Sequence, residues 1–278
     1  GEPVDEHERL GTVALDHVGE IGAVDDGGRH GGFYHVGQCA RVRVVDLSQP
    51  VGEATVPWVG SAPLRAQVVG SHDDEVGVYY RRLELDEHYG THIDAPAHFA
   101  AGGRRVHELA AEELVLPAVV LDCRASCGDD PDFTLGAGAI EAFEAEHGPI
   151  ASGTLVLACT GWDRFRDDAP RYLGDPPRFP GYGLDAARLL VERGVAAIGI
   201  DTLSVDPGYA TDSPVHHTTS PLGIWHVEGL VALDRLPPVG ATVVVGALRL
   251  VDGSGTPARV LALIPEAARV PLRGLTPS

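Results

Sequence analysis

The chain contains no lysine and no methionine, and all 21 of its basic residues are arginine. Without lysine there is no Schiff-base amine, no Ser–Lys pair and no phosphate-loop lysine, so pyridoxal-phosphate enzymes and P-loop nucleotide hydrolases are excluded. Cysteine is scarce, at four copies. Only Cys123 and Cys127 are close, as C-x-x-x-C, and the second pair that a zinc knuckle needs is missing. The cysteines are expected to be small buried residues, with a local disulfide as the alternative in an exported protein. No apolar run reaches the roughly 18 residues of a membrane span. A G-x-S-x-G elbow and an H-E-x-x-H helix are both absent, and "GAGAIE" at Gly136 lacks the third glycine of a dinucleotide fingerprint. Positive charge is also short. A net charge of -19 makes duplex nucleic acid and anionic membranes poor partners.

What is present suits a buried core. The chain has 278 residues, 44% of them hydrophobic. Residues 1–40 hold many Gly, Asp and His with little periodicity, and are expected to form an extension. Residues 41–278 are expected to form one domain, since no fixed-period repeat or long linker interrupts them. The acidic start, "GEPVDEHERLG", lacks the layout of an export signal, which predicts a cytoplasmic protein. With no methionine at its head, the start reads as processed or trimmed, and an export signal ahead of it stays open.

From Arg41 the pattern changes. "RVRVVDLS" alternates and is β-branched, so it reads as a strand, as does "VGVYYRRLEL" over 76–85. "PAVVLDC", "TLVLACT", "VAAIGIDT", "ATVVVGALRL" and "ARVLALI" read as short buried strands. "AIEAFEAEHG", closed by Gly148 and Pro149, and "LDAARLLVERG", closed by Gly194, read as helices. In the second, Leu184, Ala187, Leu190 and Val191 share a face. Strand–helix alternation after about residue 107, with β-rich structure before it, predicts an α/β fold.

The densest chemistry lies in "HYGTHIDAPAHF", His88 to Phe99. Gly90, Thr91 and Ile93 disfavour helix and Pro96 breaks it. In an extended chain His88, His92, Asp94 and His98 share one face. A straight strand would leave His88 and His92 about 13 Å apart at ~3.3 Å per residue. Gly90 offers a kink that draws them together, and Pro96 a turn that folds His98 back over the site. Two neutral imidazoles and a carboxylate suit Zn or Mn and leave positions open for water. Downstream, "DTLSVDPGYATDSPVHHTTSPLGIWHVEGL" offers His216, His217, His226 and Glu228. A histidine and a carboxylate from it can complete one ion or hold a second, with Asp94 bridging. His226 reads as structural rather than ligating. Glu228, inside an apolar stretch, is costly to bury without a partner.

The run His88-x-Gly90-Thr91-His92-x-Asp94-x-Pro96-x-His98 resembles the H-x-G-T-H-x-D-x-P-x-H signature of the metal-dependent cyclase family, which includes bacterial kynurenine formamidase and isatin hydrolase. "VVDLSQPV", "TGWDRF", "GIDTLSVDPG" and "HVEGLVALDRLP" resemble it too, so the likeness spans roughly Val44 to Ile264. The resemblance implies a swivelling β/β/α fold and a homodimer or larger homo-oligomer. It implies that His88, His92 and Asp94 bind a first metal, that Asp94 bridges to a second, and that His98 is the catalytic acid/base. His216, rather than His217, falls on the family's later metal histidine, and Glu228 on its acidic ligand. One departure stands beside Glu228, where the family commonly has Asn and this chain has Gly229.

The expectation is a metal-dependent hydrolase of a C–N bond in a small-molecule amide or lactam, with one or two Zn or Mn ions per chain. The metal would bring the pKa of a bound water near 7. His98, with an ordinary pKa near ~6.5, would pass a proton to the leaving amine. Trp58, Phe99 and Trp162 are candidates for an aromatic substrate pocket. The alternatives are a polyketide-type cyclase or dehydratase, a lactonase, and a non-catalytic metal-binding protein. His98, superfluous for mere binding, argues against the last.

Overall fold

The structure is a computed structural model and describes residues 41–75 and 77–266. The expected extension, residues 1–40, lies outside the described residues, and Cys39 with it. In chain order the strands are β1 (Val42–Asp46), β2 (Arg65–Gly70), β3 (Tyr80–Glu84), β4 (His92–Asp94), β5 (Val115–Asp122), β6 (Thr134–Leu135), β7 (Leu155–Cys159), β8 (Gly181–Tyr182), β9 (Ala197–Ile200), β10 (Trp225–Glu228), β11 (Ala241–Ala247) and β12 (Gly255–Pro265). Between them run the helices α1 (Arg124–Cys127), α2 (Ala137–His147), α3 (Ala169–Tyr172), α4 (Leu184–Arg193) and α5 (Pro214–Thr219).

The main sheet runs β1-β12-β11-β5-β7-β9-β10-β4, and β4 pairs back onto β12. It therefore closes on itself as a barrel. The length of β12 makes this possible. Its start, Gly255 to Pro257, pairs with β4, while Leu261 to Pro265 pair with β1 along the same edge. The parallel half is β5, β7, β9 and β10, and the antiparallel half is β4, β12 and β11. This is the mixed α/β single domain that strand–helix alternation predicts.

Side-chain alternation explains why the ring forms. In β7, Leu155, Leu157 and Cys159 join a buried cluster that also takes Ile93, Leu116, Ala197, Val227, Val243 and Val260, so every strand of the ring contributes. Val156 and Ala158 point the other way, into a second cluster with Ile140 of α2 and Ala186, Ala187 and Leu190 of α4. Truncating a fully buried leucine such as Leu157 costs about 2–5 kcal/mol. Helix α4 buries Ala186, Ala187 and Leu190, while Leu184 and Val191 are half-buried, so the expected face is turned slightly. Gly194 ends α4 at φ 67° and donates to the Leu190 carbonyl.

The β2–β3 ribbon stands apart from the barrel as its own two-stranded sheet. The expected strand over 76–85 narrows to β3, and β2 has no counterpart in the sequence reading. Cys123, Cys127 and Cys159 are free and buried, which corrects the disulfide alternative. Burial pushes the Cys123 thiol up to about 12 and Cys127 to about 11, so both stay protonated and inert at neutral pH. No helix among the described residues is long and apolar enough to cross a membrane.

Candidate metal centre

Strand β4 is three residues long and has two faces. Ile93 enters the barrel core, while His92 and Asp94 turn outward. Its antiparallel partner β10 sets His226 opposite Asp94 and Glu228 opposite His92. One register thus places two imidazoles and two carboxylates on a single buried face. Gly90 supplies the kink at φ 66°, and Pro96–His98 form one 3-10 turn. The result is compact. The His88 and His92 ring centroids are 5.2 Å apart, against the 13 Å of a straight strand, and His98 stacks on His88 at 3.8 Å. On the next strand Gly255 makes room, since a Cβ there would meet the His88 ring at 2.4 Å.

His216 arrives from α5. Asp206 accepts from the backbone amides of Val215 and His216 at 2.7 and 3.2 Å and from His216 Nδ1 at 2.6 Å, pinning the ring. His216 is buried and His217 exposed, so the structure turns His216 inward. Its Nε2 lies 3.2 Å from Asp94 Oδ2 and 3.4 Å from Glu228 Oε1. His92 Nε2 lies 3.2 Å from Asp94 Oδ1 and 3.5 Å from Glu228 Oε2. His88 Nδ1 lies 2.6 Å from Asp94 Oδ1.

The far side of each ring fixes its tautomer. His92 Nδ1 donates to the Gly90 carbonyl at 2.9 Å. His216 Nδ1 donates to the Asp206 carboxylate. Ser254 Oγ donates to Glu87 Oε2 at 2.8 Å, so it accepts from His88 Nε2, 3.0 Å away. The nitrogen left on each ring is a lone pair aimed at a carboxylate oxygen. Two lone pairs at these distances need a positive charge between them, either protons or a metal cation.

The electrostatics agree. Burial alone would lower His92, yet the Asp94 and Glu228 carboxylates raise it to about 9. Burial likewise opposes charge on His216, and the carboxylates of Asp206, Asp94 and Glu228 lift it well above the usual range. Burial would raise Asp94, but the surrounding imidazoles hold it well below. The group attracts cationic charge from any source. Ligand atoms of His88, His92 and Asp94 lie within 4.8 Å of one another, as do those of Asp94, His216 and His226. This donor set fits a divalent ion, so a metal cofactor belongs here.

His98 faces the same space, and among the described residues no carboxylate bonds to it. Desolvation against its neighbours, reinforced by the imidazoles of His88 and His216, outweighs the pull of Asp94 and lowers it to about 4. Its exposed edge lets water moderate that shift. The direction leaves it neutral at pH 7.

A cavity of about 460 Å³ opens over the centre, and His88, His92, Asp94, His98, His216 and Glu228 line it. Trp58, Phe99, Val56 and Leu203 form part of the rest. Phe99 lies 4.2 Å from the His216 ring, and Trp58 leans edge-on against Phe179 at 5.9 Å. Trp162 does not line this cavity. It is 3% exposed in a third cluster with Phe165 and Tyr172, and its indole donates to the Tyr172 carbonyl at 3.0 Å. Its "TGWDRF" turn is anchored instead by buried Asp201, which accepts from the amides of Thr160 and Gly161. Sequence reasoning missed Asp206, Glu87 and Ser254. Asp206 stood in "SVDPG", where an acid before a proline in an apolar context was the available signal. Ser254 carried none, because its role depends on β12 lying beside β4.

Residues 45–207 match the Cyclase family, described as "Putative cyclase". The chain belongs to the cyclase family. Among its relatives, an isatin hydrolase of Roseibium aggregatum is 34% identical over 66% of this chain and 74% of its own. A kynurenine formamidase of Salinibacter ruber is 29% identical over 78% of this chain and 96% of its own. The crystal structure of an isatin hydrolase bound to the product analogue thioisatinate superposes with a TM-score of 0.76 at 30% identity, covering 81% of this chain and 93% of that one. Gly229 stands where the resemblance in the sequence implies Asn. Its φ of 64° is left-handed, a region Asn and Gly both tolerate, and an added Cβ would meet the Gly90 carbonyl oxygen at 2.5 Å.

Proposed function

We propose that this cyclase-family protein is a metal-dependent hydrolase that opens a C–N bond in a small, neutral, aromatic amide or lactam. The observation that carries the reading is the convergence of His88, His92 and Asp94 in a cavity that Trp58 and Phe99 also line. Its relatives bearing the names isatin hydrolase and kynurenine formamidase support it. The imidazole and carboxylate donors suit zinc or manganese. A bound divalent ion would polarise the substrate carbonyl and bring the pKa of a water it carries towards 7.

The chain's own residues supply the rest. Neutral His98 takes the proton released as water attacks the carbonyl carbon. It then returns that proton to the departing nitrogen as the C–N bond breaks. His98 stacked on His88 is held within reach of both events. Trp58 and Phe99 offer flat apolar surface to an aromatic substrate.

Charge narrows the substrate. Among the described residues no arginine lines the cavity, while Asp86 does. A substrate carboxylate would find no guanidinium among these lining residues, which favours a neutral lactam over a charged amino acid derivative. The test is a hydrolysis screen of isatin, N-formylkynurenine and a simple lactone, each with and without chelator. Chelator-sensitive opening of the lactam is expected. Cleavage of the lactone alone, or turnover indifferent to chelator, would overturn the assignment. We further propose a homodimer in which a second copy covers the β2–β3 ribbon, where Val68, Tyr80 and Leu83 are exposed.

A further inference from the structure

His226 belongs to no part of the chemistry above. It sits on β10 opposite Asp94 and is 1% exposed. Its ring stands 4.6 Å from that of His216 at 88°. Thr219 Oγ1 donates to the Val215 carbonyl at 2.8 Å. A hydroxyl has one hydrogen, so the 2.7 Å contact between Thr219 Oγ1 and His226 Nε2 is made by the Nε2 proton. The lone pair is therefore on Nδ1. That atom is fully buried with no hydrogen-bond partner among the described residues.

An imidazole acceptor buried without a donor is unfavourable, and native structures rarely leave one so. Three neighbouring rings show what completes the pattern. His88, His92 and His216 each have one nitrogen proton held by an acceptor on the far side, and each offers the other nitrogen to the carboxylates. His226 has the same far-side anchor, in Thr219, and the same free lone pair. A histidine that ligates a metal normally carries this arrangement. Ligand atoms of His226, His216 and Asp94 also fall within 4.8 Å of one another.

We propose that His226 is a ligand, through Nδ1, of a second divalent cation held with Asp94 and His216. The inference rests on the metal-dependent reading of the first centre and extends it. Two imidazoles beside a carboxylate favour zinc over magnesium or calcium at this position. His226 then serves as a binding group, where the sequence suggested packing alone.

The test is Zn²⁺ titration of the metal-stripped full chain, read by elemental analysis and calorimetry for the wild type, His226→Leu and His92→Ala. The wild type is expected to take two equivalents. His226→Leu is expected to lose the second or bind it at least about tenfold more weakly, keeping the first. Histidine-selective ¹⁵N spectra of the wild type provide a readout that needs no variant, and the His226 Nδ1 resonance is expected to move with the second equivalent. Two equivalents bound unchanged by His226→Leu, or a His226 resonance indifferent to Zn²⁺, would overturn the proposal. A wild type that binds one equivalent, lost in His92→Ala, would also overturn it and leave the hydrolase reading standing. No zinc binding at all would sink both.

Discussion

Two antiparallel strand pairs in this protein invert the usual rule of apolar inside and polar outside. The β4–β10 pair buries His92, Asp94, His226 and Glu228. The β2–β3 ribbon exposes Val68, Tyr80 and Leu83, at 54%, 51% and 51%. Each inversion is unfavourable in isolation, because buried charges lose hydration and exposed apolar side chains keep ordered water around them. Each also has a remedy outside the strand. The charges gather against one another around Asp94, and the proposed second copy would cover the apolar ribbon. A misplaced polarity therefore points to what is bound. Buried polarity marks the candidate centre, and exposed apolarity the face proposed for assembly.

The largest effect should come from breaking the buried pair. His92→Ala is expected to remove at least one equivalent of metal by elemental analysis and to lower kcat/KM by on the order of 10³ or more. Retained metal with normal turnover would show that the buried face is structural. His98→Ala should separate proton transfer from binding, keeping the metal while lowering turnover by about 10²–10⁴. If it loses metal as readily as His92→Ala, His98 is a ligand.

A pH titration sharpens the same comparison. In the metal-stripped protein the carboxylates raise His92 to about 9. A raised folded-state pKa means that the folded chain binds more protons than the unfolded one between about 6.5 and 9. The contribution is full below the lower value and fades as pH rises through the upper one. The melting temperature of chelated protein is expected to fall over that window more steeply than that of metal-loaded protein. Parallel curves would count against a cation-seeking centre.

The ribbon should respond in assembly. Leu83→Asp is expected to weaken dimerisation at least about tenfold by light scattering across a dilution series, with metal content unchanged. An undisturbed dimer would place the interface elsewhere. The smallest effect belongs to charge pairs in water. Arg104 and Glu113 form a bidentate pair at 2.7 Å with both side chains partly exposed. Arg104→Ala should cost no more than about 1 kcal/mol in denaturant unfolding. A larger loss would mean that exposed pairs share the weight carried by the buried ones.

Much of the core was legible because it repeats. Alternating or continuous apolar runs announced β1, β5, β7, β9, β11 and β12, and glycine closed α2 and α4 where expected. Other elements were silent for physical reasons. Helix α5 begins at Pro214 and holds histidines and threonines, which are indifferent helix formers that only tertiary contacts stabilise. Strand β2 exposes most of its residues, so burial left no pattern on it. Trp162 is a pocket candidate in the sequence because an aromatic side chain serves core and pocket alike, and only its neighbours decide between them.

The sequence by itself determined the heart of the centre, because that part is local. His88, His92, Asp94 and His98 lie within eleven residues, and their shared face, the kink at Gly90 and the turn at Pro96 follow from backbone geometry alone. Tertiary structure alone decided which distant groups join them. Glu228 and His226 reach the site through the register of β4 with β10, Ser254 and Gly255 through its pairing with β12, and Asp206 through its hold on α5. Those pairings arise from closing the barrel, where burial summed over many strands sets each register. No short stretch of chain carries that sum, so the far half of the centre becomes visible only once the ring is closed.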